Sequence, residues 1–202
     1  MEGFRILEDA GLTRTVFRVL LDPYIYKAWI FLTVLFGVVS IVASAAYPLY
    51  SSLAEGLARE FSGKMPFTGL NPLMLFLFIV VNNSIVIIVT LLLSFTIIVP
   101  ILVIAVNGAV VGFISAYVAD LGYRYSTVFA YIAPHGVIEV PAIALAASSF
   151  IVIFTRGLKR LPEDVVRIFM IAFIMILVAA LVESTVTLAL ATALDVAFKV
   201  FG

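Results

Sequence analysis

The stretch from Pro72 to Ala119, PLMLFLFIVVNNSIVIIVTLLLSFTIIVPILVIAVNGAVVGFISAYVA, runs for 48 residues without an Asp, Glu, Lys or Arg. One membrane helix needs about 20 apolar residues, so this run is long enough for two. They are expected at 72–94 and 96–118, joined by a tight turn near Ser94–Pro100. Backbone polar groups in hydrocarbon must be satisfied within the segment or by a closed barrel, and apolar runs of this length fit helices. The stretch sets the fold class as an all-α integral membrane protein.

The flanks extend the same pattern. Hydrophobic residues make up 64% of the chain and charged residues 12%, against about half and a quarter in a soluble domain. A span over 28–47 has Tyr24, Tyr26 and Trp29 near one end and Tyr47 and Tyr50 at the other, as interfacial aromatics are placed. Spans at 127–154 and 166–191 complete a five-span bundle. Pro162, Glu163 and Asp164 make a good start for the last of these. Residues 51–70 form a polar connection with a short helical piece from Ser52 to Phe61. The membrane domain is thus 27–195, followed by a short tail, 196–202.

Ahead of it, residues 1–26 form an amphipathic segment. Leu12, Val16, Val19 and Leu20 share one face at helical spacing, with Arg14 and Arg18 elsewhere. The helix over 3–21 either lies in the membrane interface or packs beneath the bundle, and Asp22-Pro23 ends it. The segment lacks a cleavable-signal pattern.

Orientation comes from the basic residues. With five spans, Arg5, Arg14, Arg18, Lys27, Arg156, Lys159, Arg160 and Arg167 share one side, and Arg59, Lys64, Arg124 and Lys199 take the other. The positive-inside rule then predicts a multi-pass protein of the cell membrane with its N-terminus in the cytoplasm and its C-terminus outside. Net charge is zero, which gives no ground for a nucleic-acid partner, and the absence of cysteine excludes thiolate catalysis and cysteine metal sites.

Polarity returns at a few deep positions: Asn82 and Asn83, Asn107, His135 and Glu139, and Glu183. At 1.5 Å per residue, these lie about 12–18 Å from the expected outer ends of their spans. They therefore read as one polar layer. His135 and Glu139, at i,i+4, fall on one face. A central charged side chain costs about 2.5–3.5 kcal/mol on insertion scales, while a membrane hydrogen bond returns about 0.6 kcal/mol. The layer is a hydrogen-bonded network, a hydrated cavity or a functional site. His135, Glu139 and Glu183 would suffice for a three-ligand metal site, without a metalloprotease motif to support it. No cofactor is expected.

Pro134, Gly136 and Pro141 predict that the fourth span is kinked or broken. Gly108 and Gly112 form a small-residue pair, which serves either a dimer face or close contact with another span. Ala142, Ala146 and Ala147 are the expected surface in the second case.

The run Pro134-His135-Gly136-Val137-Ile138-Glu139-Val140-Pro141-Ala142-Ile143 resembles the signature of the stage II sporulation protein M family. Asn82-Asn83 and Asn107-Gly108 with Gly112 follow in the same order, and the resemblance spans roughly 27–195. It implies a polytopic protein. Sporulation members of the family act in engulfment, anchoring cell-wall-degrading partners that carry the hydrolase activity themselves. Three functions stand as expectations. The first is a non-enzymatic scaffold in envelope remodelling, with membrane lipids, envelope proteins or a second copy as partners. The others are a small-solute or ion transporter using the polar layer, and an intramembrane metal-dependent enzyme.

Overall fold

The computed structural model describes residues 19–64, 71–156 and 161–187, with backbone alone at 58–64, 125–135, 153, 156, 161, 162 and 187. The expected helix over 3–21 lies outside these except at its last residues. Helices are α1 (Pro23–Ala46), α2 (Ser51–Lys64), α3 (Pro72–Leu92), α4 (Ile98–Asp120), α5 (Tyr125–Ala147), α6 (Phe150–Arg156) and α7 (Leu161–Val182). No strand occurs among the described residues. The helices α1, α3, α4 and α7 are each long and apolar enough to cross a membrane. Helix α5 has 23 residues, about 34 Å at 1.5 Å per residue, and its apolar part continues into α6.

Local chemistry sets the ends. Asp22-Pro23 does more than end the preceding segment, because it starts α1. Asp22 Oδ1 accepts from Tyr24 N at 2.9 Å and Ile25 N at 3.3 Å, with Pro23 at the first helical position. Asn71-Pro72 repeats the device, with Asn71 Oδ1 accepting from Leu73 N at 3.0 Å. The turn between α3 and α4 is tight, as expected, but Pro100 sits inside the first turn of α4, where its missing N–H leaves no bond unmade. The reversal itself uses Ser94–Thr96 and Ile97, whose φ of 51° is strained for a β-branched residue. Thr96 Oγ1 accepts from Val99 N at 3.2 Å and covers an end donor of α4.

Helix α5 is the centre of the bundle. It packs against α1, α3, α4 and α7. All residues from Ala142 to Ser149 are buried. The helix runs unbroken through Pro134 and Pro141, so the expected break is not at the prolines. The interruption falls later, at Ser148-Ser149, between α5 and α6. Ser148 Oγ donates to Leu145 O at 2.7 Å, taking up a carbonyl at the helix end.

The second tight packing joins α1 to α4. A Cβ added at Gly108 would come within 2.7 Å of Phe36 O, and one at Gly112 would meet Ser40 O and Ala43 Cβ. Ser40 Oγ donates to Gly108 O at 2.8 Å. The glycine pair therefore serves contact within the chain, and the facing surface is α1 rather than Ala142, Ala146 and Ala147. Those alanines are buried in the bundle, where small side chains let the surrounding helices close on α5. At the far ends of α1 and α4, Tyr47 Oη donates to Asp120 Oδ2 at 2.9 Å, and Tyr50 meets Phe113 edge-on at 6.3 Å.

Candidate functional site: a carboxylate cluster inside the bundle

Leu75, Ile79, Asn83, Ile87 and Leu91 are buried at successive i+4 positions of α3. Asn83 takes the place of an apolar residue in that stripe. Helix α7 repeats the pattern with Ile168, Ala172, Ile176 and Ala180, then Ser184 beside Glu183. The two stripes face each other and α5. On one side of the polar level, Ile87, Leu91, Ala142, Ala146, Ile168, Ala172 and Ile176 form an apolar core. On the other side, Leu75, Ile79 and Ala180 form a smaller one.

Between the two cores, Asn83 stands beside Glu139 of α5, within polar range of its carboxylate. Asn82, exposed on the outer face of α3, donates its Nδ2 to Asn83 Oδ1 at 3.4 Å. Glu183 brings a second carboxylate into electrostatic range of Glu139. It opens a π-helical turn, Glu183–Thr187. Such turns displace the residues that follow them and are frequent at functional sites. Here Ser184 Oγ, at 3.2 Å, and Thr185 Oγ1 both donate to Leu181 O, in the turn just before it.

The structure thus brings together Asn83, Glu139 and Glu183, while Asn82 is exposed and joins them only through Asn83. Asn107 stands apart: its amide donates to Val103 O of its own helix at 2.7 Å, and its neighbour Gly108 faces α1. His135 lies one turn before Glu139 on α5, but its side chain, like that of Pro134, lies outside the described residues. Gly136 is half-buried. Among the described residues no three of His, Asp and Glu gather as a metal-ligand set.

Two contributors have settings that the sequence did not specify. Trp29 reads as an interfacial anchor, yet its Nε1 donates to Pro141 O at 2.7 Å and ties α1 to α5. Ser84, next to Asn83, keeps its hydroxyl buried without a partner among the described residues. Ser84 reads with Asn82-Asn83 as one polar place in the span, but its lack of a partner was not legible.

The fold and this cluster define a class: a multi-pass helical membrane protein whose central helix carries a carboxylate beside an asparagine of its neighbour. A family model, Stage II sporulation protein M, matches residues 28–188, from the start of the first span through the π turn. The chain belongs to the stage II sporulation protein M family. No curated protein and no solved structure matches it.

Proposed function

We propose that the protein is a non-enzymatic membrane scaffold that recruits or anchors partners in membrane and cell-envelope remodelling. The observation that supports this reading is the family match, which takes in the whole bundle rather than one motif. The excess of basic residues on one side supports a cytoplasmic N-terminus and an external C-terminus. In that orientation α2 lies outside, following Leu49, which is 80% exposed, and presenting Leu53, also exposed. This end of the bundle is the expected recruiting face.

The test is chemical crosslinking in native membranes, followed by recovery of the tagged chain. The expected result is a discrete envelope protein that disappears from the Leu49→Ser/Leu53→Ser variant. No stable partner from the unaltered chain overturns the reading.

A second reading, solute or ion transport, is supported by the Asn83–Glu139–Glu183 cluster. Acidic groups at membrane depth are a common mark of ion and proton paths. Flux in reconstituted vesicles that Glu139→Gln abolishes would carry it. Vesicles with no flux over a broad panel of ions, solutes and pH values would remove it.

A further inference from the structure

Between α1 and the middle of α5 the outer surface opens into a groove of about 280 Å³, lined by Tyr26, Trp29, Ile30, Thr33, Val34 and Pro141. Its Trp29 and Thr33 polar groups have partners inside the protein. Trp29 Nε1 donates to Pro141 O, and Thr33 Oγ1 donates to Trp29 O at 2.9 Å. What remains facing outward is apolar, and Ile30 and Val34 are exposed within it. A groove of this chemistry in a membrane span accepts hydrocarbon.

A charge stands at its mouth. Lys27 precedes Ile30 and Val34 at i,i+3 and i,i+7, so it shares their side of α1. It is exposed and lies in the first turns of the helix, between exposed Tyr24 and Tyr26 on one side and Trp29 on the other. Aromatic residues of this kind mark the headgroup level. Asp22, the nearest carboxylate in sequence, is engaged in capping α1. Among the described residues Lys27 has no ion-pair partner.

We propose that the groove is a binding site for an anionic phospholipid, with one acyl chain lying along Trp29, Ile30, Val34 and Pro141 and the phosphate held by Lys27. The apolar wall selects for a lipid and the lysine selects for its charge. The site is independent of the carboxylate cluster and of the scaffold reading.

Native mass spectrometry of the full chain tests this, with phosphatidylglycerol and phosphatidylcholine added in equal amounts to the detergent-purified protein. Bound phosphatidylglycerol should exceed phosphatidylcholine about five-fold, the factor one lysine contributes near an anionic lipid. Lys27→Gln should bring the ratio to about one, the loss of that same factor. Val34→Trp fills the groove and should lower both adducts. Arg124→Gln, which removes an exposed cation from the α4–α5 loop, should leave the ratio unchanged. A ratio near one for the unaltered chain overturns the proposal. So does a Lys27→Gln variant that keeps the preference, an Arg124→Gln variant that loses it equally, or Val34→Trp without effect. A dimer that Val34→Trp dissociates would assign the groove to a second copy instead.

Discussion

At the scale of single residues, Asn83 carries the clearest energetic statement. It stands in an apolar stripe between Ile79 and Ile87, and its justification is the Glu139 carboxylate. Removing one partner of a polar pair inside a bundle costs about 1–3 kcal/mol, whereas replacing both partners by apolar groups can be neutral or stabilising. Asn83→Leu alone should therefore lower the melting temperature in detergent, and Asn83→Leu/Glu139→Leu should recover most of the loss. Equal losses in the single and double variants would mean that the two side chains do not act as a pair. The sequence exposed Asn83 and Glu139 as odd residues in apolar runs, but not which amide would meet which carboxylate. Asn82, Asn83 and Asn107 are all placed near the middle of a span. Only the rotation of each helix, set by packing, separates Asn83 from Asn107, which bonds to its own backbone.

At the scale of the helix, the α1–α4 contact and the central helix were legible to different degrees. Gly108 and Gly112 announced a close approach, because two glycines a turn apart leave backbone open to a neighbour. Their partner was hidden. Phe36, Ser40 and Ala43 form no conspicuous small-residue motif, and Ser40 acts through a hydroxyl bonded to Gly108 O. Gly112→Ala should thus cost about 1–3 kcal/mol by overpacking. Gly37→Ala, on the open side of α1 with nothing within 4 Å, should not destabilise. Comparing the two melting temperatures checks the assignment, and an equal response would refute it. The prolines were legible in another sense. Pro134 and Pro141 suggested a kink or a break, and the helix continues through both, with Trp29 tying Pro141 O to α1. The real interruption, Ser148-Ser149, resembles ordinary helix sequence in a small-residue run and depends on the packing of α6 against α7.

At the scale of the whole molecule, membrane spans were the most legible feature, since length and hydropathy alone define them. Sidedness can be read directly, because a chain without cysteine accepts single reporter thiols on a clean background. Tyr123→Cys, in the α4–α5 loop, should react with a membrane-impermeant maleimide in intact cells. Glu163→Cys, at the start of α7, should react only after permeabilisation. The reverse pattern would invert the orientation. The placement of the central helix also has a consequence for biosynthesis. Helix α5 carries Glu139 into the bilayer, and chain order puts α3 with Asn83 there first and α7 with Glu183 afterwards. A nascent α5 leaving the insertion machinery thus finds its amide neighbour already waiting, while the second carboxylate enters a site that has been half assembled. Chain order therefore sets the sequence in which these polar groups meet: the amide of α3 first, the carboxylate of α5 next, and that of Glu183 last.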